Sequence, residues 1–533
     1  MTSPAITPGQ LALLRYRAYP SEQAPCFSHL LICSTAPLEA ERPYRRGLDA
    51  GDFERSAEHL VELRRHLDQF FRKPGAGKGN QRLRLVVRIH GYNVPLASVK
   101  LEYDAAERKF QADALGMAKA PPDDYVLFVH YAWPSERIGA GGPLRWIRAM
   151  PVGLLLLLGL GGVLGSAASG VAAVVGQLLL GIGITLTLLR MVVYFRDRDR
   201  AGTFGVFDAV EMIRALHHLV QEISTDSGYL NQLQRGEARR ISLSFLGHSM
   251  GTFLTTSLIR VLSNVFDTNA DSHFWENNPL GPFAGPSCPA PESHQTRERL
   301  RSQRAAIGQL FILDRLILVA ADIPVWAITT GRSNYLASCL RRFSDTFLFV
   351  NDADMVLRLA STLANYFVFP SGTRMGGYRL GNLSIQGRGK DGIYGWRASD
   401  LRDLELHGVL RSRPLCEPPF HCPAVIGYPL NVIDCTDYTD QGRHLSAFTA
   451  GNTLLRPFNY AATLVLMLLA PLGIGQIDSH GGYFRGRFCL DLLYDLALRG
   501  VPCDQPPSAQ IQQGLKEHRI SWISIPSDAA GGP

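Results

Sequence analysis

The pentapeptide Gly247-His248-Ser249-Met250-Gly251 constrains the fold of this chain more than any other stretch, because it joins a strand pattern to a helix pattern. Residues 241–246 alternate apolar and polar side chains, and apolar residues recur at helical spacing from Met250 to Leu262. A serine between two glycines at such a junction is typical of a nucleophile elbow, in which the glycines allow the backbone to bend sharply. We therefore predict that Ser249 is a catalytic nucleophile, with His248 supporting the turn rather than acting as a base.

A serine hydroxyl is a weak nucleophile near neutral pH, so the prediction requires a histidine to take its proton and an acid to orient that histidine. In chains with this elbow the order is nucleophile, acid, histidine. His480 lies beyond the last predicted strand and before an apolar helix pattern, so it is the predicted base. Three acids follow predicted strands. Asp354 is favoured because it opens a helix pattern, and Asp322, ahead of Asp352, is the alternative.

An acyl transfer through Ser249 also needs backbone N–H groups that stabilise the negative oxygen of the intermediate. The first predicted donor is Met250, the residue after the serine. The second is Tyr92, in the loop His90-Gly91-Tyr92-Asn93 that follows a predicted strand at 83–89. We expect His90 to brace this loop together with Gly91. The alternative is that the loop is an ordinary tight turn.

Apolar strand patterns alternate with amphipathic helix patterns along most of the chain. The strand patterns lie at 27–33, 83–89, 125–132, 241–246, 316–321, 347–350 and 432–435. This alternation predicts an α/β protein with a doubly wound, mostly parallel sheet.

Residues 149–189 form an uninterrupted run of 41 residues without a charged side chain or a histidine. A bilayer core requires about 20 helical residues, so the run is long enough for two short membrane helices. The strand before His90 and the strand before Ser249 must lie in one sheet, so the run can cross a membrane twice or not at all. Arginines on both sides of the run predict that both ends, and the catalytic body, face the cytoplasm. The alternative is a buried core hairpin or a lid.

A second apolar stretch, Tyr460 to Ile474, precedes His480 and is interrupted by Pro471. One membrane crossing here would separate His480 from Ser249. We therefore expect the stretch to pack on the protein or to enter the membrane interface near the site.

These patterns predict five regions. They are an N-terminal strand and helix extension at 1–80, a first part of the catalytic domain at 81–148, a transmembrane hairpin at 149–189, the remainder of the domain at 190–503, and a loose tail at 504–533. Polar stretches rich in Pro, Gly and Ser or Arg predict two loop insertions in the fourth region, near 267–300 and 371–423.

The overall charge of +7, from 54 basic and 47 acidic residues, is spread along the chain rather than gathered in a stripe with aromatic residues. Nucleic-acid binding is therefore not expected. The nine cysteines show no metal-type spacing, and their number is odd. We expect reduced thiols and neither a cofactor nor a metal.

Five blocks together resemble a group of bacterial α/β hydrolases of largely unassigned function: Val87 to Asn93, Phe128 to Ser135 with its Trp-Pro-Ser ending, Gly247 to Gly251, Leu318 to Ile323, and Asp354 to Leu357. The resemblance covers about half of the chain and implies a doubly wound sheet and a Ser-Asp-His triad, but no substrate. The apolar run and the two long insertions depart from the group's pattern.

The sequence therefore predicts a membrane-anchored serine hydrolase that cleaves a carboxylic ester, including lipid acyl esters, through an acyl-serine intermediate. Its expected partners are the lipid bilayer and a small-molecule or lipid ester. Two alternatives stay open. One is a membrane-tethered scaffold without turnover, and the other is a thioesterase or amidase with the same triad.

Overall fold

The structure of the chain is a computed structural model, and it describes part of the 533 residues. The described residues are 10–19, 27–38, 44–45, 47–72, 82–112, 125–136, 177, 181, 192–262, 306–324, 327, 337–340, 342–362, 379–383, 416–417, 420–421, 430–447, 456–469, 477–498 and 507–525. The predicted hairpin at 149–189 lies outside them except for two residues, as does all of the predicted insertion at 267–300 and most of the one at 371–423. No helix within the described ranges is long and apolar enough to cross a membrane.

Fourteen strands are assigned in the described residues: β1 Leu11–Tyr19, β2 Phe27–Ser34, β3 Leu83–Ile89, β4 Tyr125–Ala132, β5 Ile241–His248, β6 Ala306–Ile307, β7 Phe311–Val319, β8 Asp345–Val350, β9 Cys416–Glu417, β10 Phe420–His421, β11 Leu430–Asp434, β12 Thr439–Asp440, β13 Arg443–His444 and β14 Ser521–Ile525. Ten of them form a mixed sheet at the centre of the protein, with the strand order β1-β2-β4-β3-β5-β7-β8-β11-β14 and β6 paired to β7. The strands from β2 to β11 along this path pair in parallel, whereas β1 and β14 pair antiparallel at the two edges.

Helices cover both faces of this sheet, because its parallel strands are apolar on both sides. One face packs against the helices Ala50–Arg72, Val206–Asp226, Tyr229–Gln234 and Met250–Leu262. The other face packs against Leu96–Ala112, Arg487–Leu498 and Ala509–Glu517. Side chains of β3 alternate between the two cores, with Leu85 and Val87 in the first and Val86 in the second. The prediction of a mostly parallel α/β protein is therefore confirmed.

The described residues contain two further helical segments. They are Ala337–Leu340 and Arg456–Leu469, and short π or 3-10 turns occur at Ala201–Gly205, Val356–Ser361, Leu380–Asn382 and Gly482–Phe484. Residues 192–200 are α-helical and continue through the π-turn into Val206–Asp226, so helical backbone runs without a break from 192 to 226. This continuous helix begins shortly after the uncharged run and reaches the core on the face of the sheet that Val206–Asp226 covers.

Both ends of the chain differ from the sequence prediction. The prediction of a loose tail at 504–533 is wrong for residues 507–525, where Ser508 caps a helix and β14 pairs with β11. The strand signal of β14 lies in Trp522, Ile523 and Ile525, which are typical strand residues, but the prolines and glycines on both sides of it favour a loop. At the other end, β1 was not predicted, and it joins the main sheet through β2.

The helix predicted within the N-terminal extension spans Ala50–Arg72. Asp49 accepts a hydrogen bond from the Asp52 N–H at 2.9 Å, and the Asp52 carboxylate accepts one from the Asp49 N–H at 3.2 Å. Asp49 is therefore the N-cap, and Asp52 is its reciprocal partner in a capping box.

Candidate active site

The carboxyl ends of β3, β4, β5, β7 and β8 lie along one edge of the sheet, because these strands run parallel. Five residues follow these strand ends closely in the sequence: His90, Trp133, Ser249, Asp322 and Asp354. The fold therefore gathers at one edge the residues that the sequence separates by more than 260 positions.

Ser249 occupies a sharp turn between β5 and the helix Met250–Leu262. Its φ of +53° lies in the left-handed region, which a residue with a side chain adopts only at a cost of about 1–3 kcal/mol. Its carbonyl accepts hydrogen bonds from the backbone N–H and the hydroxyl of Thr252, at 2.9 and 2.6 Å. Its N–H donates to the Val319 carbonyl at 2.9 Å. These bonds hold the strained turn in place.

The two glycines of the pentapeptide are required by close packing. A Cβ on Gly251 would lie 2.5 Å from the carbonyl oxygens of Ile89 and His90, and a Cβ on Gly247 would lie 2.9 Å from the hydroxyl of Thr255. The turn that carries Ser249 is therefore pressed directly against the end of β3.

His480 connects Ser249 to Asp354. The hydroxyl of Ser249 lies 2.8 Å from His480 Nε2, and His480 Nδ1 lies 2.7 Å from Asp354 Oδ2. In the neutral imidazole the Ser249 hydroxyl donates to Nε2, and the Nδ1–H donates to the carboxylate. Ser249 and the Asp354 side chain are fully buried, and the His480 side chain is 12 % exposed. The structure thus brings together the three residues predicted as nucleophile, base and favoured acid.

Asp354 also accepts two backbone hydrogen bonds, from the N–H groups of Val356 and Leu357, both at 3.1 Å. One carboxylate oxygen therefore holds the start of the next helical turn, while the other oxygen faces His480. Burial raises the pKa of the Asp354 carboxyl above its ordinary value, against the opposing effects of His480 and of these N–H groups.

The pKa of His480 reflects two opposing influences. Burial lowers it, but the charge of Asp354 and the hydrogen bond to it have the larger combined effect, so the pKa ends above its ordinary value. A histidine placed in this way attracts a proton strongly while keeping Nε2 directed at the serine.

The other two candidate acids have different partners. Asp322 forms an ion pair with Arg379, with a distance of 3.2 Å between Oδ1 and Nε, and both side chains are 1 % exposed. Asp352 forms an ion pair with Arg358 and accepts a hydrogen bond from the Tyr460 hydroxyl at 2.7 Å. Neither acid has a hydrogen bond to His480 among the contacts of the described residues.

The loop that carries His480 is fixed by polar contacts that the sequence did not reveal. Asn351 donates from Nδ2 to the Ser479 carbonyl at 2.8 Å, and Asp478 accepts from the N–H groups of His480 and Gly481 at 3.3 and 2.8 Å. The Asn351 contact joins a strand end to a loop 128 positions away, so no local sequence pattern predicts it, whereas Asp478 stabilises the turn within its own loop.

His248 lies beside His480 and donates from Nε2 to the His480 backbone carbonyl at 3.0 Å. Burial lowers the pKa of His248 well below its ordinary value, so the ring stays neutral near pH 7. This contact agrees with the prediction that His248 supports the site rather than transfers protons.

The His90 loop lies directly against the serine. A Cβ on Gly91 would approach the Ser249 Cβ to 2.9 Å, and His90 donates from Nδ1 to the Gly91 carbonyl at 2.8 Å. The His90 ring stacks on Trp133, and burial lowers the pKa of His90 to about 3. His90 is therefore a neutral brace for the loop.

The two predicted oxyanion donors belong to the helix that Ser249 precedes and to the loop that packs against Ser249. Met250 is the first residue of its helix, a position whose N–H has no acceptor within the helix. Tyr92 follows Gly91, and its ring lies 6.5 Å from that of His480. Their role as donors stays a prediction.

No group of three or more His, Cys, Asp or Glu side chains is arranged to hold a metal ion in the part of the chain that the structure describes. Four cysteines in these ranges, Cys33, Cys339, Cys435 and Cys489, are buried thiols without a disulfide. Comparison of the chain with protein-family models, with curated proteins and with solved structures finds no match.

Proposed function

We propose that this protein is a serine hydrolase of the α/β-hydrolase fold that cleaves carboxylic esters. The observation that carries the proposal is the continuous hydrogen-bonded series Ser249, His480 and Asp354, with distances of 2.8 and 2.7 Å. The order of these residues in the chain and the strained turn at Ser249 also support it.

The chemistry follows from the roles of the three side chains. Ser249 Oγ attacks the ester carbonyl while His480 Nε2 takes its proton, and Asp354 stabilises the resulting imidazolium. The N–H groups of Met250 and Tyr92 would stabilise the negative oxygen of the tetrahedral intermediate. The carbon–oxygen bond to the leaving alcohol then breaks, and His480 gives the proton to that alcohol. Water, activated by His480, next cleaves the acyl-serine and releases the acid.

The exposed apolar side chains of the helix Arg456–Leu469 favour an apolar acyl group as the substrate. This helix buries two polar residues, Asn459 and Thr463, against the protein and exposes Phe458 and Val465 at 68 % and 53 %. The helix lies beside the site, because Met467 contacts Ser479 and Tyr460 contacts Asp352. An apolar face directed outward next to a catalytic loop suits a substrate that is delivered from a lipid phase.

Anchorage in a bilayer through residues 149–189 is also part of this proposal. It is supported by the length of the uncharged run and by the contact between its flanking segments, where Arg196 Nη2 donates to the Glu136 carbonyl at 2.6 Å. Because both flanks contact each other, the run would cross a membrane an even number of times. The arginines beside it favour a catalytic body on the cytoplasmic side.

Ester hydrolysis is tested with the full chain in detergent and p-nitrophenyl esters of increasing acyl length. We expect nitrophenol release that rises with acyl length and disappears in Ser249→Ala. Equal rates for the wild type and Ser249→Ala would contradict the proposal and favour a scaffold. Faster turnover of matched thioesters or anilides would assign the same triad to another acyl bond.

Anchorage is tested by membrane fractionation. A chain without residues 149–189 should move from the membrane pellet to the soluble fraction and keep its activity on a short-chain ester. Continued pelleting of a folded, monodisperse product would contradict the anchor.

A further inference from the structure

The helical segment that follows the uncharged run contacts the proposed oxyanion loop through two side chains. Tyr194 lies 5.9 Å from Tyr92 between ring centroids, and Asp197 Oδ2 accepts a hydrogen bond from the Asn93 N–H at 2.9 Å. Tyr194 and Asp197 are three residues apart, so they lie on one face of this helix. The loop His90 to Asn93 is therefore held by a segment that is distant from it in sequence.

Asp197 is fully buried and joins three parts of the chain. The same oxygen, Oδ2, accepts a second hydrogen bond from the Ser135 hydroxyl at 2.8 Å, and Ser135 Oγ accepts one from the Val94 N–H at 3.1 Å. The loops after β3 and β4 thus meet the helix at one carboxylate. Arg196 donates to the other oxygen from Nε and Nη2, at 2.9 and 2.8 Å, and so pairs the buried charge.

The loop His90 to Asn93 requires stabilisation by residues outside it. Asn93 has a φ of +58°, in the left-handed region, and its N–H is directed into Asp197. Two residues earlier, Gly91 leaves no space for even one additional carbon against Ser249. A small displacement of Asn93 would therefore move the Gly91–Tyr92 peptide relative to the reacting serine. A misplacement of about 1 Å at a reacting centre can cost about 10²-fold in rate.

We propose that Asp197 is a positioning residue for the oxyanion loop. It receives the Asn93 N–H directly and the Val94 N–H through Ser135, and so fixes the direction of the Tyr92 N–H. This inference rests on the proposed function, because it assigns Asp197 a part in stabilising the intermediate formed at Ser249.

The test compares Asp197→Ala with Asp199→Ala in the full chain in detergent. Asp199 is exposed two residues away on the same helix, so its variant changes the net charge equally without touching the loop. We expect Asp197→Ala to lower kcat by about 10²-fold with KM nearly unchanged. Asp199→Ala should match the wild type. Asp197→Asn should keep more activity than the alanine variant, because its amide oxygen can still accept the Asn93 N–H.

A boronic acid inhibitor separates positioning from a general structural defect. It forms a tetrahedral adduct with a catalytic serine and presents an oxygen to the oxyanion hole. Asp197→Ala should weaken inhibition by about the factor lost in kcat, and the pH at half-maximal activity should not move, because the His480–Asp354 contact is untouched. A folded Asp197→Ala variant with the kcat and inhibition of Asp199→Ala would overturn the inference.

If Asp197→Ala fails to fold, Ser135→Ala decides the question. A parallel loss of kcat and inhibitor binding in Ser135→Ala supports the inference, and wild-type values in the folded Ser135→Ala variant overturn it. A wild type without Ser249-dependent turnover and without inhibition would instead contradict the proposed function.

Discussion

Asp322 and Asp354 occupy equivalent positions at the ends of neighbouring parallel strands, yet their surroundings differ. Asp322 follows β7 and faces the guanidinium of Arg379 at 3.2 Å, whereas Asp354 follows β8 and faces His480 at 2.7 Å. Both side chains are buried. A buried carboxylate needs a partner, and the kind of partner decides what the carboxylate can do. A guanidinium keeps its charge permanently, whereas an imidazole can exchange a proton.

The largest expected difference between the two aspartates is in the effect of their substitution on kcat. Asp354→Asn should lower kcat by about 10⁴-fold, because the amide favours the wrong tautomer of His480 and cannot stabilise the imidazolium. Asp322→Asn should lower the kcat of folded protein by less than about tenfold. Steady-state kinetics on one ester measures both. A greater loss of kcat in Asp322→Asn than in Asp354→Asn would identify Asp322 as the acid of the triad.

For the free energy of unfolding, we expect Asp322→Asn to have the larger effect and Asp354→Asn the smaller. Asp322→Asn leaves the Arg379 guanidinium buried without a carboxylate, which costs about 3–5 kcal/mol in the free energy of unfolding. Asp354→Asn should cost less, because His480 can become neutral. Denaturant unfolding measures these values. The double variant Asp322→Leu with Arg379→Met is the control and should recover part of the loss, since it leaves no unpaired charge.

The pH dependence of activity should distinguish the same two acids. His480 acts as a base only when neutral, so activity rises with pH through its pKa, which Asp354 raises and burial lowers. Asp354→Asn should therefore shift this rise to lower pH. Asp322 makes the smallest of the contributions that raise the pKa of His480, so Asp322→Asn should shift it slightly in the same direction. The kcat/KM profile of each variant measures the shift. An unchanged profile in Asp354→Asn would show that another group controls it.

The smallest effect should come from the third acid. Tyr460→Phe removes the hydrogen bond at 2.7 Å to Asp352, whose charge stays paired with Arg358. We expect a loss of about 1 kcal/mol in the free energy of unfolding and no change in kcat. Thermal unfolding and ester kinetics check both statements. A large fall in kcat would give Asp352 a direct part in the chemistry.

Local patterns in the sequence were sufficient for the central strands and for the turn at Ser249. The strands predicted at 83–89 and 125–132 have the same bounds in the structure, because continuous apolar residues mark strands that are buried on both faces. The edges were less predictable. β1 contains Arg15 and Arg17 on its more exposed side, which interrupts its apolar pattern, and turn residues obscured β14.

The contacts that complete the site could not be read from local patterns. The sequence left three acids open, because each follows a strand and only the fold determines which of them faces His480. Asp197 lies in a segment of alternating Arg and Asp at 196–200, and no local pattern distinguishes it, because its partners Asn93 and Ser135 lie 104 and 62 positions away. A residue such as Asp197 can be recognised only in the folded structure, where the loops after the strand ends lie next to each other.

The most direct test of the account is covalent labelling of the full chain in detergent with a fluorophosphonate, followed by intact mass and peptide mapping. We predict one adduct at Ser249, its absence in Ser249→Ala, and much slower formation in His480→Ala, because His480 activates the serine. A folded wild type that forms no adduct, or an adduct that persists in Ser249→Ala, would contradict the account.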